Sequence, residues 1–364
     1  MPVVNKKREI PFFPLYEKFI ADSKSGKRLQ PNGKRVGAIT IINYENPLKL
    51  LKKFCSVTSF VLRFRPVHYL NSREIQTEKR YWKKFHLKFT NYLYKTCGHY
   101  DNYVGSTLKI IRTFFNYINK ELMLGIGDFH KLFYVRREDI PVLTLLPEEL
   151  NFLIYDTAFH ESLSAILKEV KNIFVFGCTV ALRYSDLIAL TKANLRIINN
   201  TYYLIVRSKK TGTDTQIKLP DYAIAILEQF KTKGNRLMPH HHITGFNIYV
   251  KNICEKAAFT HPVNKVRSIR GELVQVKNAK QKGKSNEQCR FCDLASSHLM
   301  RRTAITTMLC LGVPEQVVRK ISGHAPMSKE FFRYISLAQT YQDKEVSKMF
   351  EILKERRLVN YKFI

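Results

Sequence analysis

Along the first 140 positions the apolar residues recur at helical spacing. Trp82, Phe85, Phe89 and Leu93 fall on one face of a helix that carries Lys83, Lys84 and Lys88 elsewhere on its surface. Leu108, Ile111, Phe115, Ile118 and Leu122 mark a second amphipathic helix. Residues 12–21 read as a short helix, and residues 22–37 as a basic loop punctuated by Gly26, Pro31, Asn32 and Gly33. Residues 39–54 also predict a helix, weakened by β-branched residues and by Pro47. These stripes are core faces, and the lysines beside them are the better candidates for contacts to phosphate.

The pattern breaks between residues 124 and 146, where Gly125, Gly127, Arg136, Arg137 and Pro141 interrupt the periodicity. A linker at 126–143 would separate a helical N-terminal domain (1–125) from a second domain (144–364). Pro147-Glu148-Glu149-Leu150 opens a new helix, with proline and acids where the helix dipole favours them. Leu163, Ile166, Leu167, Val170 and Phe174 continue as an amphipathic helix. Alternating, β-rich residues 202–206 and 215–219 flank the turn 208–214 and predict a hairpin, and residues 221–230 return to helix. A basic stretch at 265–284 reads as a loop or hairpin. Leu299, Ile305, Met308 and Leu309 recur at helical intervals around His298 and Arg301, and Gly323 ends a helical run at 315–321. Beyond it, Val346, Met349, Phe350 and Leu353 form a last apolar stripe, in a segment too short to fold alone.

Charge changes this picture most. The chain of 364 residues holds 61 Lys and Arg against 30 Asp and Glu, a formal net charge of +31. Such self-repulsion is relieved by a polyanion that releases its counterions on binding, and the basic residues are spread through the folded segments rather than gathered in a tail. The expected partner is a nucleic acid, DNA or RNA, with a membrane surface a distant second. No apolar run is long enough to span a bilayer and no secretory leader is evident, so the chain is expected to be cytoplasmic and associated with the nucleoid. Seven scattered cysteines do not suggest a disulfide framework. Cys289 and Cys292 have metal-ligand spacing, but no second pair accompanies them, and two reduced thiols are the preferred reading over a structural zinc.

Several residues carry candidate chemistry. His298 and Arg301 sit three apart in Ser297-His298-Leu299-Met300-Arg301, on one face of a helix. His324 follows Gly323, and Tyr334 comes ten residues later in Phe331-Phe332-Arg333-Tyr334. Upstream, Arg183 and Asp186 in Leu182-Arg183-Tyr184-Ser185-Asp186-Leu187 read as three apart on a helix, and Lys210 would crown the hairpin. Taken singly, each histidine or tyrosine is more often a packing residue. Together they form a kit for phosphoryl transfer. Two guanidiniums can hold non-bridging oxygens in forked geometry, a tyrosine can attack, a lysine can protonate the departing oxygen, and imidazoles can move protons.

These residues, in this order, resemble the tyrosine recombinase (phage integrase) family. The matching positions are Thr179-Val180-Ala181-Leu182-Arg183-Tyr184-Ser185-Asp186-Leu187, Lys210-Thr211-Gly212, His298-Leu299-Met300-Arg301, Gly323-His324 and Tyr334. The resemblance implies a mainly α fold with a small β-hairpin or sheet (α+β), made of a helical, SAM-like core-binding domain and a tyrosine-recombinase catalytic domain. It implies that Arg183 and Arg301 clamp the scissile phosphate, Lys210 acts as general acid, His298 assists proton transfer and His324 hydrogen-bonds the phosphate. Tyr334 would form a 3′-phosphotyrosyl link, with Asp186 in the supporting acidic position. It implies no cofactor and no metal, a homotetramer on synapsed DNA joined through the C-terminal helix, and in some members accessory DNA-bending proteins.

Within the resemblance some alternatives stand. Tyr334 lies one residue later than the family's usual spacing, and Tyr341 is its rival. Lys209 adjoins Lys210. The Cys289–Cys292 pair is outside the family pattern. The expected function is a site-specific recombinase or integrase of a mobile element, with a chromosomal resolvase or DNA invertase as the nearest alternative. A type IB topoisomerase would share the chemistry, and a DNA-binding regulator that keeps the fold would have lost catalytic residues, none of which is missing.

Overall fold

The computed structural model describes residues 9–208, 212–230, 234–276, 288–325 and 328–360. Two compact units divide the chain, one formed by residues 1–140 with 266–276 and the other by 141–265 with 277–364.

In the first unit, β1 (Ile10–Pro11) leads into α1 (Phe12–Ser25), followed by α2 (Ala38–Thr58). Then β2 (Arg63–Phe64) pairs antiparallel with β1, ahead of α3 (Ser72–Asn91) and α4 (Asp101–Lys120). Helix α3 starts where Asn71 and Glu74 form a capping box: Glu74 N donates to Asn71 Oδ1 at 2.9 Å and Asn71 N to Glu74 Oε2 at 3.2 Å. Helix α2 runs through Pro47 without stopping, because Pro47, Leu51 and Phe54 are buried and packing outweighs the lost backbone bond. The core is aromatic. Phe12, Phe64, Trp82, Phe85, Phe114 and Phe115 are buried, with Trp82 edge-on to Phe115 at 4.9 Å between ring centroids. Residues 126–133, read from composition as part of a linker, supply Ile126, Phe129 and Phe133 to this core. Buried Glu78 is held by Arg63 at 2.5 Å and Arg65 at 3.3 Å.

The second unit opens with α5 (Pro147–Tyr155) and α6 (Thr157–Ser162), capped by Asp156 Oδ1, which accepts from Phe159 N at 2.6 Å. At its centre runs α7 (Ala165–Val180). Phe174, Val175, Phe176, Gly177 and Cys178 are consecutive and all buried, as expected of a helix enclosed on every side. A short α8 (Tyr184–Leu187) follows, then the antiparallel sheet β3 (Leu195–Ile198), β4 (Thr201–Arg207) and β5 (Asp214–Lys218). Its register pairs Leu204 with Ile217 and Val206 with Thr215, and these four point into the core while Ile205 faces solvent. Next come α9 (Asp221–Gln229), α10 (Ile243–Lys256) and β6 (Pro262–Val263).

The chain then returns to the first unit as a hairpin, β7 (Val266–Ile269) and β8 (Glu272–Gln275). Two buried carboxylates seat it. Asp101, at the N-terminus of α4, accepts from Ser268 Oγ, Arg270 N and Gly271 N at 2.7–2.8 Å and from Tyr94 Oη at 2.5 Å. Glu138 accepts from Arg267 Nη2 and from Ser268 N, both at 2.6 Å. Burial alone would raise both carboxyls, yet these donors hold them below their ordinary values.

Back in the second unit, β9 (Cys289–Arg290) pairs with β6, and α11 (Phe291–Leu294), α12 (Ser297–Cys310), α13 (Glu315–Ser322) and the long α14 (Lys329–Asn360) complete the chain. No helix among the described residues is long and apolar enough to cross a membrane.

Candidate active site

Helix α7 ends at Ala181, whose φ of +55° is left-handed and strained for a residue with a Cβ. The turn places Arg183 as the N-cap of α8, where its carbonyl accepts from Asp186 N and Leu187 N, each at 2.9 Å. Arg183 and Asp186 therefore do not share a helical face as their spacing suggested, since the left-handed residue breaks the helix ahead of Arg183. They are joined instead through Ser208. Arg183 Nη1 donates to Ser208 Oγ at 3.2 Å, and that hydroxyl donates to Asp186 Oδ2 at 3.3 Å. Lys210 and its alternative Lys209 lie outside the described residues.

Helix α12 packs against α7 at a point where the close approach favours glycine. A Cβ on Gly177 would lie 2.4 Å from Met300 Sδ and 3.1 Å from Met300 Cβ. This close approach sets Arg301, the next residue, under the end of α7. Arg301 is 7 % exposed; its Nη1 donates to Ala181 O at 2.8 Å and its Nη2 to Ser322 O at 2.6 Å. The strained turn at Ala181 thus presents the carbonyl that holds the second arginine. His298 stands one turn earlier on α12 and is exposed.

Gly323 closes α13 in the left-handed conformation, as its position in the sequence predicted, and His324 N donates to Arg319 O at 3.0 Å. Ser322 Oγ gives its one proton to Val318 O at 2.7 Å, so it accepts from His324 Nδ1 at 2.8 Å. That assignment leaves Nε2 as the acceptor, 3.4 Å from Arg301 Nη2. Burial, then Arg301, Arg183 and Arg319, push the imidazole down to about 4, so it is neutral at physiological pH. Burial and the nearby Arg183 likewise push Arg301 down to about 10.

Tyr334 is 9 % exposed on the first turns of α14, packed with Ala181, Ile305, Val318 and Phe331. Its ring centroid is 6.0 Å from that of His324. Burial raises its phenol, against the downward pull of Arg302 and Arg301. Arg319 braces this corner: its guanidinium donates to Ala325 O at 3.1 Å and stacks over Phe331 at 4.0 Å. Neither Arg302 nor Arg319 stood out in the sequence, where they were two more cations in a basic chain. Tyr341, the alternative nucleophile, donates to the Glu148 carboxylate at 2.7 Å. Farther along α14, Val346, Met349, Phe350 and Leu353 are each about half exposed, at 46–60 %.

Cys289 and Cys292 are both buried and neither is joined in a disulfide; burial raises the thiol of Cys292. Among the described residues, no group of three or more His, Cys, Asp or Glu side chains is placed to hold a metal ion.

One unit therefore gathers Arg183, Arg301, His324 and Tyr334, with Asp186 tied in through Ser208. Both guanidiniums push His324 down, and the Tyr334 ring stands beside that histidine.

The sequence model described as the phage integrase family matches residues 153–340. No curated protein sequence matches the chain significantly. Among solved structures, the XerH site-specific recombinase bound to palindromic difH substrate shares 13 % identity at a TM-score of 0.58, over 93 % of this chain and 85 % of that one. A lambda integrase dimer bound to a COC′ core site gives 12 % and 0.54, over 93 % and 78 %. The Tn1549 transposon integrase in complex with transposon right end DNA gives 14 % and 0.53, over 94 % and 99 %. At these identities the likeness is one of fold.

Proposed function

The chain belongs to the phage integrase family, and we propose from that premise that it is a site-specific DNA recombinase. The observation that carries the reading is Arg301. A guanidinium withdrawn from water donates to two main-chain carbonyls, beside a second arginine and a neutral histidine, with Tyr334 in the same cluster. An ionised group so placed is costly unless an anion completes it.

In the proposed reaction the scissile phosphate of double-stranded DNA enters between Arg183 and Arg301, which hold its non-bridging oxygens and stabilise the charge that builds as phosphorus becomes five-coordinate. The Tyr334 oxygen attacks phosphorus, forming a 3′-phosphotyrosyl bond as the bond to the 5′-oxygen breaks. That oxygen takes its proton from Lys210, and His298 assists removal of the phenolic proton. His324 hydrogen-bonds the bound phosphate, which requires it to gain a proton at Nε2 when the anion arrives. The reverse attack, by the 5′-hydroxyl of another strand, rejoins the DNA and returns the phenol. The ester bond is conserved in energy throughout, so no nucleotide is consumed.

Exchange between two duplexes needs several protomers at once. The half-exposed apolar stripe on α14 supports a tetramer on synapsed DNA, in which each C-terminal helix docks on a neighbouring copy. Accessory DNA-bending proteins would help such synapsis, and a mobile element is the favoured context. A duplex nicked next to the cleavage site tests the reading. Wild-type protein should trap itself on it as a covalent adduct, and Tyr334→Phe should form none. An adduct retained in Tyr334→Phe would refute the nucleophile, and no adduct with the wild type on its own site would favour a DNA-binding regulator.

A further inference from the structure

Ser208 takes no part in the chemistry above, yet its hydroxyl stands between Arg183 and Asp186. It is the last residue before Lys209 and Lys210 and is 8 % exposed. Its hydroxyl receives the Arg183 guanidinium at 3.2 Å and reaches Asp186 Oδ2 at 3.3 Å. A hydroxyl has one proton, and the carboxylate, which has none to give, is its acceptor; the oxygen's lone pairs then face the arginine. The polarity is thus fixed as Arg183 to Ser208 to Asp186, and the buried carboxylate makes the serine oxygen a better acceptor for the cation.

The backbone of Ser208 is equally constrained. Its N–H donates to Thr213 O at 2.9 Å and its carbonyl accepts from Gly212 N at 2.8 Å, directly beyond the ladder pair Arg207–Asp214. Ser208 is therefore tied by its backbone to the end of the β4–β5 sheet. Arg183, by contrast, sits in an irregular turn after a left-handed residue, where no helix fixes its side chain. The serine is the point at which the sheet can orient the arginine.

We propose that Ser208 is a positioning residue that aims the Arg183 guanidinium at the scissile phosphate, using Asp186 as its own anchor. The proposal rests on the recombinase reading, in which Arg183 clamps phosphate. Misplacing such a clamp by a fraction of an ångström is costly, so Ser208→Ala should slow single-turnover cleavage about tenfold to a hundredfold. Ser208→Thr, which keeps the hydroxyl, should stay within about threefold of wild type.

The experiment measures adduct formation by the full-length protein on a nicked duplex, in single-turnover conditions, for wild type, Ser208→Ala, Ser208→Thr, Arg183→Ala and the Ser208→Ala/Arg183→Ala double variant. Thermal unfolding of each is followed in parallel. If Ser208 acts through Arg183, its alanine variant costs nothing further once Arg183 is gone. A second duplex with sulfur at the 5′-bridging position, whose thiolate leaves without a proton, separates an effect through Arg183 from one through Lys210. The Ser208→Ala defect should persist on it. Additive losses in the double variant, full activity of Ser208→Ala, failure of Ser208→Thr to retain activity in a folded protein, or a defect that vanishes on the sulfur substrate would each overturn the proposal. Absence of adduct with the wild type would instead overturn the recombinase reading itself.

Discussion

Asp101 and Glu138 in the first unit, and Arg301 in the second, are ionisable groups taken out of water, and the chain treats them in opposite ways. Each carboxylate meets a full set of donors: Asp101 accepts from Ser268, Arg270, Gly271 and Tyr94, and Glu138 from Arg267 and Ser268. Both are held ionised, and both fasten a hairpin that comes from the far half of the sequence. Arg301 meets two carbonyls and sits near another arginine, which together with burial weakens its hold on its proton. The first region is electrostatically complete and acts as a lock. The second is short of negative charge, which is the condition expected of a site that waits for a phosphate. Under the proposed reading, charge distribution separates what is fastened from what binds.

Replacing the arginine gives the largest contrast. Arg301→Met should cut the cleavage rate on a nicked duplex by at least about a thousandfold, since it removes a cation that acts on the transition state. Stability of the second unit should fall by no more than about 1–3 kcal/mol: the carbonyls of Ala181 and Ser322 lose their donor, but burial and repulsion already count against the cation and an apolar chain of similar length fills its space. Denaturant unfolding beside the cleavage assay checks both, and unfolding of the protein by this change would break the contrast. Asp101→Asn should do the reverse. Its amide would face N–H donors and lose charge-assisted bonds, costing about 2–4 kcal/mol. Hydrogen exchange at residues 266–276 should accelerate more than anywhere in the second unit. Unchanged protection there would show that the carboxylate is not what fastens the hairpin.

How much of this could be read in advance depended on whether the interaction was local. The stripe Trp82, Phe85, Phe89 and Leu93 is buried as its period required, and Gly323 stops α13 where a left-handed residue was expected. His298 and Arg301 lie on one helix because their spacing needs nothing beyond the helix itself. The misreadings concern tertiary contacts. The left-handed φ of Ala181 took Arg183 off the helix, and no sequence rule marks an alanine for that conformation. Ser208 carries no motif signal; its meaning comes from Arg183 and Asp186 more than twenty residues away. Glycines at 125 and 127 made residues 126–143 look like a linker and hid Phe129 and Phe133, which need the aromatic core before they register as apolar faces. The hairpin was legible as a hairpin, but its seat on Asp101 and Glu138 was not, since single acids have no period.

A middle-sized effect should come from the helix crossing that sets the arginine in place. Gly177→Ala puts a methyl group 2.4 Å from Met300 Sδ and 3.1 Å from Met300 Cβ. The thioether can swing away but the Cβ moves only with α12, so the expected cost is about 1–3 kcal/mol. Because Arg301 follows Met300, cleavage should fall further than the stability loss explains. A variant that is destabilised but cleaves at the wild-type rate when fully folded would show that the α7–α12 distance does not tune the site.

The smallest effect is on proton binding, and it tests the electrostatic side of the contrast directly. His324 is pushed from its ordinary 6.5 down to about 4 by burial and by Arg301, Arg183 and Arg319. A folded-state value below the unfolded one means that the unfolded chain binds a proton first as pH falls. The free protein should therefore lose stability as pH drops from about 6.5 towards about 4, and this contribution should be absent in His324→Asn. A bound phosphate reverses the sign at the same residue, since an anion between the arginines favours the imidazolium and gives its Nε2–H a partner. DNA binding by the Tyr334→Phe protein should then take up a proton in that window, and affinity should rise as pH falls. Titration calorimetry in buffers of different ionisation enthalpy measures the uptake, and an imidazole resonance followed by NMR assigns it. Proton release on binding, or uptake that persists in His324→Asn, would mean that the phosphate does not reach this histidine. A carboxylate such as Asp101, already supplied with donors, should show no such linkage, so the two kinds of buried charge can be told apart by protons alone.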